Sequence, residues 1–278
     1  MIVETQKGPV KLAANLKWLF TDLPFLDRFD AAAAAGFTGV EYSSPYEFVP
    51  VELHKRLDST GLAQILINTP AGTAGSPTQN GAAAVPGAEA EFRDGVKRAL
   101  EYATTLGAGL IHLMAGLRPQ GVSASDSMSL YVDNVAWAAE QASPTGVRLV
   151  LEAINKRDVP RFALDSFEDA AEVAQSVDPK TIAVLFDVYH AQVDRGNLIE
   201  RFNALLPSIG HVQVADNPGR GEPGTGEIAY ANVLANVAAS GYDGWVGCEY
   251  RPVTNTIAGL RWIDDLTPGT VGKDWRDQ

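Results

Sequence analysis

Cysteine is all but missing: the chain has one, Cys248, which excludes a disulfide framework and any cysteine-based zinc site. Histidine is nearly as scarce, with four residues in 278. Positive charge is short as well. Lys and Arg number 22 against 34 Asp and Glu, a formal charge of −12. A surface that negative repels phosphate backbones and anionic lipids, which argues against nucleic acid and membrane as partners. No apolar run of about 18 residues occurs, and the opening Met1-Ile-Val-Glu-Thr-Gln-Lys lacks the apolar stretch of a secretion signal. The expectation is a soluble, cytoplasmic protein.

What is present is short apolar runs, each bounded by turn residues and separated by helical patterning. Strands are expected near Leu12–Leu16, Gly39–Tyr42, Gln64–Asn68, Leu110–Met114, Arg148–Glu152, Ile182–Asp187, Ile209–Ala215 and Gly244–Glu249. Most are continuous rather than alternating, as in Ala183-Val184-Leu185-Phe186, which suits parallel strands covered on both faces. Helix signals fill the gaps. Asp22 and Pro24 open one whose stripe is Phe25, Leu26 and Phe29 and whose end is Gly36. Asp165 with Glu168 reads as a capping pair, Asn197 as the cap of Leu198–Leu206, and Gly241 follows the helix with Val233, Leu234 and Val237.

Eight such units without a composition shift predict an α/β fold of one domain, a closed (β/α)8 TIM barrel, rather than a doubly wound open sheet. Pro70 to Ala90, rich in Gly, Ala, Ser and Pro, breaks the rhythm after the third strand. It is expected to lie over the catalytic face as a lid. From about residue 266 the chain reads as an irregular extension, with an oligomer contact as one use for it.

The strands end in Asn15, Glu41, Asn68, Glu152, Asp187, Gln213 and Glu249, with His112 inside the fourth. Active sites of this fold are built from C-terminal strand ends. Strands five to eight offer Glu152, Asp187, Gln213 and Glu249 together. Three carboxylates crowded into a low-dielectric pocket repel unless protonated or met by a cation. A divalent metal answers this, and four hard oxygens suit Mg²⁺ or Mn²⁺. His190, three residues past Asp187, reaches a substrate hydroxyl or carbonyl, and Arg220, after Gln213, neutralises an anionic substrate. His112, among Ile111, Leu113 and Met114, reads as a satisfied core histidine, and His54 as solvated. Gly219-Arg-Gly-Glu-Pro-Gly224 matches a dinucleotide fingerprint by letter. Pro223 and Gly226 deny it the helix that such a site needs, and Glu222 would face the pyrophosphate.

Several of these blocks resemble the hydroxypyruvate isomerases. They are Leu151-Glu-Ala-Ile-Asn-Lys-Arg-Asp158, Phe186-Asp-Val-Tyr-His-Ala-Gln192, His211-Val-Gln-Val-Ala-Asp-Asn-Pro-Gly-Arg220, Glu222-Pro-Gly-Thr-Gly-Glu-Ile228 and Gly244-Trp-Val-Gly-Cys-Glu-Tyr250, with Ala14-Asn-Leu and Phe20-Thr near the start. The likeness runs from about Leu12 to Trp262. It implies a xylose isomerase-like barrel that interconverts hydroxypyruvate and tartronate semialdehyde, with 2-oxo-tetronate isomerases and ketose 3-epimerases as relatives. Carried over residue by residue, it implies Glu152 and Glu249 as the acid–base pair that also binds metal. Asp187 and Gln213 complete the metal set, and His190 and Arg220 contact substrate. Asp158 falls where sugar epimerases place a substrate-binding Glu. Lys17-Trp18, Lys156 and Gly221 depart from the family pattern, and Lys17, if it enters the mouth, alters substrate choice. The implied partner is a small keto acid or sugar acid, with no nucleotide or redox cofactor and a homo-oligomer as one state. The rivals are a ketose 3-epimerase, the nuclease branch of the fold, which needs more histidine and a basic face, and a non-catalytic sugar-binding barrel.

Overall fold

The computed structural model describes residues 1–5 and 7–266. Its strands are β1 (Ile2–Thr5), β2 (Gly8–Asn15), β3 (Gly39–Glu41), β4 (Ala63–Asn68), β5 (Leu110–His112), β6 (Arg148–Glu152), β7 (Ile182–Asp187), β8 (Ile209–Val214) and β9 (Trp245–Cys248). Strands β2 to β9 pair in parallel, each with the next in sequence. The pairing of β2 with β9, Lys11 to Trp245 through Ala14 to Cys248, closes the ring. Closure excludes the open doubly wound sheet. The extra strand β1 folds back antiparallel on β2; four residues carry too little pattern to announce it.

Helices α1 (Asp27–Ala34), α2 (Pro50–Thr60), α3 (Glu89–Leu106), α4 (Ala124–Ala142), α5 (Phe167–Val177), α6 (Val188–Asp194), α7 (Leu198–Leu205) and α8 (Tyr230–Ala239) surround the barrel. Three expected starts differ. Residues 22–26 form turns, and α1 begins only at Asp27 without a side-chain cap. Its aromatic face survives, since Phe25 packs edge-on against Phe29 and Tyr42. The cap of α5 is Ser166, whose hydroxyl accepts from the Asp169 amide, because Asp165 pairs instead with Lys156 at 3.1 Å. Asn197 precedes α7 in a left-handed conformation, and its side chain reaches Glu200 rather than the helix backbone.

Alternate strand residues point the same way. Leu66, Val150, Ala183 and Leu185 pack together as a small buried cluster, separate from the main core that includes the helix-facing Leu149, Leu151, Val184 and Phe186. Glu152 continues the alternation of Val150, and Asp187 that of Ala183 and Leu185. The polar strand ends are thereby aimed at the barrel axis.

The 70–90 stretch divides in two. Its second half is fastened down: Gly81 bridges Ala115, the Ala84 amide donates to the Ala115 carbonyl, and Ser127 and Asn134 of α4 donate to the Ala84 and Ala83 carbonyls. Ala82 to Val85 are buried. The expected C-terminal extension lies outside the described residues from 267 onward. No helix among the described residues is long and apolar enough to cross a membrane.

Candidate active site

Glu152 and Asp187 end β6 and β7, Gln213 lies one residue from the end of β8, and Glu249 follows β9 directly. Four successive strands thus bring the expected set to one sector of the mouth. Oxygens of Glu152 and Asp187 and a ring nitrogen of His190 lie within 4.8 Å of one another, all three residues buried. Arg220 enters the same space. Its Nη2 donates to Asp187 Oδ2 at 3.1 Å and to Glu249 Oε2 at 2.6 Å. The guanidinium charge is therefore met by the protein's own carboxylates.

Burial pushes all three acids above the ordinary carboxylate range. For Glu152 the charges of Glu249 and Asp187 add to burial, and its pKa stands well above the usual value. For Glu249 and Asp187 burial is partly offset by Arg220. Burial opposes the Arg220 cation in turn, but Glu249, Asp187 and Glu152 outweigh it and raise its pKa. Glu249 also receives the Trp18 indole N–H at 3.2 Å. Trp18 is the residue of the Lys17-Trp18 departure, and its ring lies under Arg220 and Arg251 at 5.3 and 4.8 Å.

His190 has a defined tautomer. The Asp158 amide donates to Asn155 Oδ1 at 2.9 Å, which orients the Asn155 amide. Asn155 Nδ2 then meets His190 Nδ1 at 2.6 Å as a donor. That contact outweighs the 3.4 Å approach of Arg220 Nη1 to Nε2, so Nδ1 accepts and Nε2 carries the proton. Nε2–H stands 3.7 Å from both Glu152 and Asp187. Burial first, then Arg220, holds His190 well below the usual histidine range, hence neutral. Asp158 sits outside this group, where its Oδ2 accepts from Tyr189 and Asn155 and its Oδ1 faces Arg157.

Beneath the carboxylates lies a layer that the sequence did not assign. Glu41, fully buried at the end of β3, accepts from Asn15 Nδ2 at 2.9 Å and Gln213 Nε2 at 2.7 Å, and meets His211 Nε2 at 2.6 Å. A Cβ on Gly247 would stand 2.3 Å from Glu41 Oε1, so only glycine leaves room there. This clamp leaves Gln213 Oε1 buried with no partner among the described residues. An orphaned amide oxygen beside three crowded carboxylates is a donor set that fits a hard cation. His112 departs from its expected satisfaction. Its Nδ1 lies 3.4 Å from Glu152, yet its buried Nε2 has no partner among the described residues. Burial, with His190 and His211 nearby, pushes it down to about 3, so it is a neutral neighbour of Glu152. His54, 47% exposed on α2, is solvated as expected.

The loop that delivers Arg220 is organised by Asp216. Its carboxylate accepts from the backbone N–H groups of Asn217, Gly224, Gly226 and Ile228. Arg220 itself is left-handed at φ 58°, held by its amide on the Asp216 carbonyl and by the Arg251 amide on its own carbonyl. Residues 217–224 are turns and bends around the Asp216–Gly221 bridge, and the next helix begins only at Tyr230, so no dinucleotide motif exists here.

Residues 29–266 match a family described as the xylose isomerase-like TIM barrel. A 2-oxo-tetronate isomerase of Cupriavidus necator is 42% identical over 91% of this chain and 97% of its own length. A hydroxypyruvate isomerase of Escherichia coli is 41% identical over 92% of this chain and 98% of its own. A crystal structure from Brucella melitensis, titled AP endonuclease, family 2, superposes with a TM-score of 0.88 at 36% identity, covering 92% of this chain and 98% of that one.

Proposed function

Because the chain belongs to the xylose isomerase-like TIM barrel family, we propose that it is a hydroxypyruvate isomerase, interconverting hydroxypyruvate and 2-hydroxy-3-oxopropanoate (tartronate semialdehyde) through an enediolate. The observation that carries this is the pair of buried Glu152 and half-buried Glu249 at one mouth, both pushed above the usual carboxylate range by desolvation. Arg220 and Trp18 hydrogen-bond Glu249 and favour its anion, so Glu249 takes the proton from C3. Among the described residues no cation touches Glu152, and it returns a proton to C2 while the O3 hydroxyl proton passes to O2, leaving C3 as the aldehyde carbon. His190 Nε2–H and Arg220 face the oxygens on which charge develops. Asp158 acts through Asn155 and Tyr189, which places it behind His190.

Glu152, Asp187, Gln213 and Glu249 would hold a divalent cation, Mg²⁺ or Mn²⁺ by their oxygen chemistry. Such a cation supplies Lewis acidity to the substrate oxygens. No redox cofactor is needed, since one substrate carbon is oxidised as its neighbour is reduced. Residues 70–80, ahead of the fastened half of their loop, serve as the lid. A cytoplasmic location belongs to the same reading.

The second reading is a 2-oxo-tetronate isomerase, favoured by the 42% identity to the Cupriavidus protein. The test is incubation of each 2-oxo acid in D₂O, with Mg²⁺ or Mn²⁺ added or stripped, followed by NMR. Conversion of hydroxypyruvate with deuterium at C2 of the product is expected. Conversion of 2-oxo-tetronate alone selects the second reading, and conversion of neither acid overturns both.

A further inference from the structure

A second cavity opens at the same end of the barrel, beside the strand ends of β2 to β5. It has a volume of about 300 Å³, roughly ten water volumes. None of its lining side chains is a carboxylate, although the chain carries 34 of them. Two are cations, Lys17 and Arg98, and hydroxyls and amides such as Ser43, Ser44, Asn68 and Asn80 complete a polar wall. Among the described residues neither cation forms an ion pair with a carboxylate. Arg98 is braced, with Nη2 on the Tyr46 carbonyl at 3.0 Å and the guanidinium over the Tyr46 ring at 4.8 Å. Lys17 is exposed, and its ammonium lies 5.7 Å from the Trp18 ring centre.

This cavity adjoins the reacting groups. Trp18, next to Lys17, donates to Glu249. Asn68 pairs in register with His112, which touches Glu152.

A 2-oxo acid presents a carboxylate to a mouth already holding Glu152, Asp187 and Glu249. Arg220, the cation among them, is hydrogen-bonded to two of these acids. A carboxylate-free space lined by two cations that enter no ion pair among the described residues attracts the substrate carboxylate. We propose that the Lys17–Arg98 cavity is the subsite for the substrate carboxylate, with Lys17 as the cation that selects anionic 2-oxo acids over neutral ketoses. This deepens the isomerase reading and rests on it.

The experiment compares the unmodified protein with Lys17→Met and Lys17→Arg. Lys17 is exposed, so neither change disturbs the core. KM for hydroxypyruvate should rise about tenfold or more in Lys17→Met, with the loss in KM rather than kcat, and Lys17→Arg should restore it. Added salt should raise KM in the unmodified protein and do so less in Lys17→Met. Calorimetry with glycerate, an unreactive carboxylate, should show the same tenfold loss.

Turnover of hydroxypyruvate with KM and glycerate affinity untouched by Lys17→Met overturns the subsite and leaves the isomerase standing. Lys17-dependent glycerate binding without turnover of any 2-oxo acid keeps the anion site and removes the isomerase. A protein that does not bind glycerate at all overturns the subsite.

Discussion

The two halves of the barrel mouth differ in kind. From β6 to β9 the strand ends carry buried Glu152, Asp187 and Gln213 and half-buried Glu249, and Arg220 ties Asp187 to Glu249. From β2 to β5 the mouth offers amides, hydroxyls and two cations in no ion pair among the described residues, around an open cavity. One half concentrates like charge at a cost in burial, which is what proton transfer requires. The other half keeps its strand-end carboxylate, Glu41, clamped among Asn15, Gln213 and His211, and lines its open cavity with neutral and positive groups, which suits recognition. The site therefore separates the groups that react from the groups that select, and three predictions probe that separation.

The largest effect should come from Glu152→Gln and Glu249→Gln. Each keeps its size and an oxygen, and removes the proton carrier. Turnover should fall at least about a hundredfold with KM nearly spared. Steady-state kinetics on folded protein checks this, and an equal loss of turnover in Asn68→Ala would break the division between the halves.

A middle effect is expected at Arg220, which sits on the reacting side but could share in recognition. Arg220→Lys keeps the charge and loses the planar fork that spans Asp187 and Glu249. It should lower kcat/KM by about tenfold. If the whole loss appears in KM, recognition extends into the charged half and the boundary moves.

The smallest effect concerns stability. Glu152 is held well above the usual carboxylate range by burial and by Glu249 and Asp187. Between its unfolded and folded pKa values the native state binds more protons than the unfolded state. Stability of metal-stripped protein should therefore fall as pH rises through that window. Glu152→Gln should flatten this slope and raise Tm by about 2–4 °C above neutrality, the shift that ~1 kcal/mol produces at this size. Melting curves across pH with chelator present would show it; an unchanged slope would mean that Glu152 is not the acid under strain.

Much of this was legible in the sequence. The eight expected strands lie where the apolar runs are, and seven of them carry a polar residue at or near their C-terminal end, because a barrel strand must be apolar until it reaches the mouth. Glu152, Asp187, Gln213 and Glu249 follow from that rule alone. The remainder depends on partners that no local pattern carries. Trp18 and Glu249 are 231 residues apart, and His211 and Glu41 are 170 apart. Glu41 was visible as a strand end, but its grip on Gln213 exists only once β3 and β8 face each other across a closed ring. Asn155 gave no signal, since its effect on His190 depends on an amide orientation set by the Asp158 backbone. His112 read as a plain core residue because a sequence does not show which ring nitrogen lacks a partner. The Asp165 cap failed to a competitor one residue away, Ser166, whose shorter side chain meets the helix amide.

Asp216 has a further consequence for the loop it gathers. Residues 217–229 contain no regular helix or strand, and such a segment would ordinarily sample many backbone states before a substrate selected one. Four amides on a single buried carboxylate remove that choice while the chain folds. The conformational entropy of placing Arg220, left-handed backbone included, is thus lost on folding and need not be lost again when the substrate arrives.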